Sequence, residues 1–355
     1  MQENRCGNKL GQRWIGRLIS VFLVLTMFLG IMPVSVFAAQ DSDTLSDIPG
    51  ISTIEDQQSD SLSDFYNVED ITTLSDDEAA STTPKNVDGV YQIGTAAELT
   101  WFASAVNDGT AETQNAVLTA NIDLNNVEWK PIGTTRKKYT GTFNGQNNRV
   151  TGLYISTPDL MAGLFGFADT GSKIENLTVA GNISISNFNQ PNKSCMIGGI
   201  VAVSRGDIIN CHNEVNISLT DYACKTLNVG GICGSIGLNG TVNSIVGCTN
   251  VGNISCSVNY GSTDHFAYAG GIAGRLNFNP KVDSCKNTGS VSVALTGFGT
   301  GCAGGITNLS YVNEVDINNC YNTGSVQVTK PDSIAGVTLC AGAVVGYSPI
   351  DENTA

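Results

Sequence analysis

Gly270-Gly271-Ile272-Ala273-Gly274, a variable segment, and then Cys285-Lys286-Asn287-Thr288-Gly289-Ser290-Val291-Ser292-Val293 form the stretch that decides the fold. The first phrase recurs at Gly198-Gly199-Ile200, Gly230-Gly231-Ile232 and Gly304-Gly305-Ile306, with a weaker copy at Gly342-Ala343-Val344. Its successive intervals are 32, 40, 34 and 38 residues. The second phrase, Cys-x-Asn-x-x-x-(Ile/Val), starts at Cys211, Cys248, Cys285 and Cys320, at intervals of 37, 37 and 35. A degenerate earlier copy pairs Ala162-Gly163-Leu164-Phe165-Gly166 with Leu177-Thr178-Val179-Ala180-Gly181-Asn182-Ile183. A period of this size, with strand-like phrases between Gly and Asn punctuation, predicts stacked β coils.

In such a stack equivalent residues lie above one another at strand spacing, about 4.8 Å. The Ile and Val of each phrase then form apolar columns, and glycine suits bends with no room for a Cβ. Asn213, Asn250, Asn287 and Asn322 share one repeat position, which suits a side-chain amide ladder. The expected fold is therefore all-β, a right-handed parallel β-helix (β-solenoid). A β-propeller is the structural rival, but each repeat has too few clear strands for a four-stranded blade. Irregular intervals fall in the loops between phrases.

Working outward, residues 1–39 carry a basic start (Arg5, Lys9, Arg13, Arg17), an apolar run from Leu18 to Met32, and the exit Val36-Phe37-Ala38-Ala39. This is the pattern of a secretory signal peptide, with cleavage after Ala38 or Ala39. An uncleaved membrane anchor is the alternative, and either places the remainder outside the cytoplasm, extracellular or at the cell surface. From Gln40 to Pro84 there are twelve acidic residues and no Lys or Arg. One-signed charge at low hydrophobicity predicts a disordered acidic linker over 40–84. Residues 85–355 then form the solenoid.

The solenoid opens with a short strand, Val90-Tyr91-Gln92-Ile93. Thr95-Ala96-Ala97-Glu98 is a capping box, followed by Leu99, Phe102, Ala103 and Val106 at helical spacing and by Gly109 as a stop. A helix over about 95–108 is expected to close the N-terminal end of the stack. Strands are expected at Ala116–Leu124, Tyr139–Phe143 and Val150–Ile155, with a tight turn through Asn144-Gly145-Gln146-Asn147-Asn148. Trp129 reads as a packed aromatic rather than a sugar platform.

The run from Tyr91 to Ile155 holds Ala97-Glu98-Leu99 with Phe102, Trp129-x-Pro131-Ile132-Gly133, Gly141-Thr142-Phe143-Asn144-Gly145 and Gly152-Leu153-Tyr154-Ile155. As a set these phrases resemble bacterial surface proteins bearing GLUG motifs. Gly163-Leu164-Phe165-Gly166 and the later Gly-Gly-Ile phrases fit that motif. The resemblance implies an exported, adhesin-like β-solenoid, and similar repeats accompany IgA-specific zinc metallopeptidases. It carries over no catalytic residues, because the repeats of that family hold none.

Cysteine chemistry follows from position. Cys6 lies in the signal, which leaves ten of the eleven cysteines. Cys211, Cys248, Cys285 and Cys320 share a slot that Leu177 fills in the degenerate copy, so the slot is apolar core. Cys195, Cys224, Cys233, Cys256, Cys302 and Cys340 are less regular, and one or two could pair. His212 and His265 are the two histidines, with no Cys-x-x-Cys and no His-Glu-x-x-His. No metal, cofactor or catalytic site is expected. Candidate carboxylates (Asp207, Glu214, Asp221, Asp264, Asp283, Glu314, Asp316) are scattered, although Asp207 and Asp316 each lie four residues before a repeat cysteine and could share a face.

A net charge of -14 excludes a nucleic-acid partner, and a membrane is met only through the signal segment if uncleaved. The leading expectation is a non-enzymatic, exported cell-surface repeat protein serving adhesion, ligand display or a stalk. Its partner would be a host or neighbour-cell protein or a glycan. The alternatives are an accessory repeat region of a larger secreted hydrolase or metallopeptidase, and a polysaccharide-active β-helix enzyme. The glycine phrase runs out at Gly346-Tyr347, so a longer parent chain is expected.

Overall fold

The Thr95 hydroxyl accepts from the Glu98 amide at 3.2 Å, and the Glu98 carboxylate accepts from the Thr95 amide at 3.0 Å. This reciprocal cap starts α1 (Ala96–Asp108), and Gly109 ends it in left-handed backbone at φ 88. The computed structural model describes residues 82–157, 159–237, 243–310 and 316–348. The expected signal peptide, the acidic linker up to residue 81, and Glu314 lie outside these residues. No described helix is long and apolar enough to cross a membrane.

Leu99, Phe102 and Val106 on α1 are fully buried. The Phe102 ring meets Tyr139 and Phe143 at centroid distances of 5.9 and 6.1 Å. Burying each such side chain is worth about 1.5–3 kcal/mol, so packing on the first coil holds this short helix. Beside it, β1 (Lys85–Val87) runs antiparallel to β2 (Val90–Ile93). From β2 onward pairing is parallel, β2 registering on Asn115–Leu118 through Val90↔Asn115 and Ile93↔Leu118.

The chain then winds as a parallel β-solenoid of about five turns. Among the described residues its strands form sheets of nine, fifteen and five strands. In the coil around Cys285, Lys281–Asp283 lies in the nine-stranded sheet. Lys286–Asn287, Val291–Leu295 and Thr300–Gly304 follow in the long sheet. The Gly305-Ile306 bend leads to Leu309–Ser310 in the five-stranded sheet.

Register is set by the two repeat phrases. Gly198, Gly230, Gly270, Gly304 and Gly342 lie in one column. Asn213, Asn250, Asn287 and Asn322 lie in another. Asn213, Asn250 and Asn287 each donate from Nδ2 to the next Oδ1 at 2.7 Å, and these three side chains are fully buried. Each Nδ2 also donates to the carbonyl two residues on, for Asn287 the Gly289 oxygen at 2.8 Å. The ladder satisfies amides that would otherwise cost about 1–3 kcal/mol each in the core.

The same ladder explains the second glycine of the first phrase. A Cβ on Gly231 would lie 2.3 Å from Asn250 Cγ, and one on Gly271 would lie 2.3 Å from Asn287 Cγ. The two phrases, separate in sequence, are one packing unit. Ahead of the cysteine slot comes a left-handed corner residue: Asn176 (φ 53), Asn210 (φ 51), Gly247 (φ 65), Ser284 (φ 54) and Asn319 (φ 50). Asn tolerates this conformation better than most residues.

Two strand expectations need correction. Ala116–Leu124 divides into Asn115–Leu118 and Ile122–Asp123 because a coil corner falls at Ala120-Asn121, where Asn121 Oδ1 accepts from the Arg149 amide at 2.8 Å. Tyr139 contributes a lone bridge to Ala168, and the strand proper is Thr142–Asn144. The Tyr139 side chain turns into the core, and its hydroxyl donates to the Gln114 carbonyl at 3.1 Å.

Candidate functional site

One face of α1 carries small side chains: Ala96, Ala97, Thr100, Ala103 and Ser104. Opposite them, Leu124, Val127 and Trp129 form a second wall, and the two enclose a groove of about 590 Å³. Asn107 ties the walls together, donating from Nδ2 to the Pro131 carbonyl at 3.0 Å and accepting from the Gly133 amide at 2.8 Å. Trp129 is 6% exposed, and its Nε1 donates to the Leu164 carbonyl at 3.0 Å. It is a packed aromatic, as the sequence suggests, with little ring face left for a sugar.

Asp108, Glu128 and Lys130 supply the charges of the groove. The Glu128 carboxylate accepts from the Thr157 amide at 2.9 Å, the Ser156 amide at 3.0 Å and the Ser156 hydroxyl at 2.8 Å. Partial burial alone would raise its pKa, but these hydrogen bonds outweigh it and hold the carboxyl below the usual range. An ionised carboxylate already bound by three donors ties a loop down; it is a poor general acid or base. Nothing in the sequence marks this groove beyond the run of small residues on one helix face.

The carboxylates singled out from sequence do not converge. Lys281 registers on Asp316 and Ser244 on Lys281, and Ile208 on Ile245 sets Asp207 beside Ser244, so Asp207 and Asp316 do share one column of the nine-stranded sheet. Three coil steps separate them, about 14 Å at strand spacing. That exceeds both glycosidase geometries, which need carboxylates roughly 5–9.5 Å apart. Asp207 instead accepts from the Ser244 amide at 2.9 Å and hydroxyl at 2.7 Å, and Asp316 accepts from Asn318.

Glu214 forms a bidentate pair with Arg149 at 2.8 and 2.7 Å and contacts His212 Nε2 at 3.2 Å. The Arg149 hydrogen bonds hold its carboxyl below the usual range. Asp283 pairs with Lys281 at 3.0 Å, Asp264 accepts from Ser262, and Asp221 lies within the strand His212–Gly230 in left-handed backbone. Among the described residues no three His, Cys, Asp or Glu side chains gather as a metal site.

The cysteine slot is core. Leu177 and Cys211 are 1% exposed, and Cys248 and Cys285 are 0%. Each thiol also donates to the carbonyl two residues earlier, at 3.4 Å for Cys211, 3.5 Å for Cys248 and 3.3 Å for Cys285. A leucine cannot make that bond, which gives the slot a reason to hold cysteine. The pairing allowed for the other six is not present: all ten described cysteines are free. Burial pushes the Cys233 and Cys256 thiols up to about 12, so neither is a nucleophile at neutral pH.

No family model matches the chain. Over 128 residues it is 28% identical to a "Putative Gly-rich membrane protein" of Evansella cellulosilytica. The match covers 35% of this chain and spans 14% of the length of that protein. Among solved structures, the chain is similar to a "putative immunoglobulin A1 protease" from Bacteroides ovatus at 19% identity and a TM-score of 0.46. That superposition covers 76% of this chain and 88% of the other, a likeness too loose to carry an assignment.

Proposed function

We propose that the chain is a non-enzymatic, exported cell-surface repeat protein of the GLUG-repeat kind, which acts by displaying a long, regular surface for adhesion. One observation carries this reading. The side chains of the repeat that could bear chemistry are spent inside the stack, the asparagines on each other at 2.7 Å and the cysteines in the core. What differs from coil to coil lies outside, on faces and loops. A repeat built this way conserves a scaffold and leaves its exterior free to carry recognition.

The second reading is an accessory repeat region of a larger secreted hydrolase or metallopeptidase. It is favoured by the half-buried Ile317, Val326 and Val328 of the last described coil, an apolar surface that can take a packing partner. The partner in either case is a protein or glycan of another cell.

Two measurements test the proposal. An epitope-tagged chain expressed in a Gram-positive or Gram-negative host is expected in the surface-accessible fraction, removable by external protease on intact cells; confinement to the cytoplasm would contradict it. Purified chain is expected to leave proteins and polysaccharides intact. Hydrolysis that disappears in Asp207→Asn or Asp316→Asn would overturn the non-enzymatic reading.

A further inference from the structure

Alternation along a strand sends every second side chain outward. On the long sheet one outward column is Ser184, Ser218, Ser255 and Ser292, in register from coil to coil. Ser184, Ser218 and Ser255 are exposed, and Gln327 continues the column. Asn182, Asn216 and Asn253 flank it on one side, all exposed. Ser186 and Thr220 flank it on the other, registered on each other and exposed. No residue of these columns carries a charge, in a chain whose net charge is -14. Charge returns at the margins, at the Arg149–Glu214 pair and at Asp221.

We infer that this face is a self-recognition surface whose partner is the same face of a second copy of the chain. The inference rests on the reading of the protein as a displayed adhesin. Three arguments select a second copy. Residues 85–355 hold 14 basic and 19 acidic residues, so two solenoids carry like net charge, and an uncharged face is where they approach at least electrostatic cost. A surface that repeats at about 4.8 Å along the stack is matched by any partner with the same period, and an identical coil has it by construction. Finally, the side chains lose little freedom on docking. Serine has a short side chain, and the asparagines are already fixed, Asn216 Oδ1 accepting from the Asn253 amide at 3.0 Å and Asn253 Oδ1 from the Ser290 amide at 2.9 Å.

Size sets the strength. Five coils at about 4.8 Å and five residues along each strand at about 3.3 Å give a face of about 400 Å². Two copies would bury about 800 Å², below the roughly 1,200 Å² of a stable complex. A single contact is therefore weak, and many copies on opposed surfaces would act together.

The test couples purified chain to beads and measures clustering at physiological ionic strength. Wild-type beads are expected to cluster. Ser218→Glu with Ser255→Glu should reduce clustering roughly tenfold by setting like charges face to face, and Ser218→Lys with Ser255→Lys should do the same. Mixing the Glu beads with the Lys beads should restore clustering. Val87→Glu, a charge added at an exposed site of the nine-stranded sheet, away from this face, should leave it unchanged. Circular dichroism and urea midpoints matching wild type would show that the variants fold. Dispersed wild-type beads, undiminished clustering of the Glu beads, or no recovery on mixing would each overturn the proposal. So would dispersed wild-type beads that bind a neutral polysaccharide in a Ser218-dependent way, since the face would then be a glycan surface. Surface accessibility on cells is read separately, so self-recognition can fail while the display reading stands.

Discussion

The two ends of the described stack are built from the same materials and look different. At the N-terminal end, α1 and the antiparallel strand β1 cover the first coil, and Phe102 of α1 and the Tyr139 and Phe143 rings it meets are completely buried. At the other end, Ile317, Cys320 and Cys340 are only partly buried, although Val282, Cys285 and Cys302, one coil below in the same columns, are 0% exposed. Tyr321, Leu339 and Val344 are 51%, 40% and 37% exposed. Residue type and register are alike along each column, so the difference comes from the neighbour. A solenoid coil does not bury its own core; the next coil or a cap does it.

Removing the cap's main contact should give the largest effect. Phe102→Ala deletes a fully buried ring that meets Tyr91, Tyr139 and Phe143. The expected cost is about 3–5 kcal/mol, read as a lowered urea midpoint. A change below about 1 kcal/mol would mean that the helix does not support the first coil as described.

The same substitution made in the middle and at the end of the asparagine ladder should be unequal. Asn250→Ala removes the acceptor for Asn213 Nδ2 and the donor to Asn287 Oδ1 and the Gly252 carbonyl, all inside the core. About 3 kcal/mol of stability should be lost. Asn322→Ala acts where water can replace the missing partner of Asn287, and about 1 kcal/mol is expected. Equal losses would erase the distinction between interior and end coils.

That ladder also shows what the sequence could and could not reveal. The recurrence of Asn213, Asn250, Asn287 and Asn322 was legible because a fixed period in a solenoid translates directly into vertical stacking. The α1 cap was legible from Thr95 and Glu98 because capping chemistry is local. The reason for the second glycine was not legible: Gly271 is crowded by Asn287, sixteen residues away in sequence, and only the folded coil brings them together. The strand splits at Ala120-Asn121 were missed because corner placement depends on the cross-section of the coil. The groove beside α1 was missed because its walls are small and apolar residues with no chemical signature. Asp207 and Asp316 were correctly placed on one face, but spacing along the chain says nothing of how many coils lie between them.

The smallest effect concerns acid. The Lys281 hydrogen bond, helped by Asn319 and Ser284, lowers the Asp283 carboxyl from an ordinary 3.8 to about 2. A carboxylate depressed on folding contributes stability above its unfolded pKa and loses it as pH falls through the folded value. Its share should therefore be present above about pH 4 and vanish toward pH 2. Asp283→Asn should flatten that part of a stability-against-pH curve slightly, as expected for an exposed ion pair. A variant whose acid limb superimposes on wild type would remove Asp283 from the account.

Thiol labelling of the folded chain reads out whether the neighbouring coil supplies the burial of each core side chain. Cys285 and Cys320 occupy the same slot, 0% exposed in one coil and partly exposed in the next. Brief alkylation without denaturant, followed by peptide mass mapping, is expected to modify Cys320 and Cys340 while Cys211, Cys248, Cys285 and Cys302 react only on unfolding. Labelling of Cys248 or Cys285 at the rate of Cys320, or a disulfide joining any two of them, would contradict the stacked-coil account.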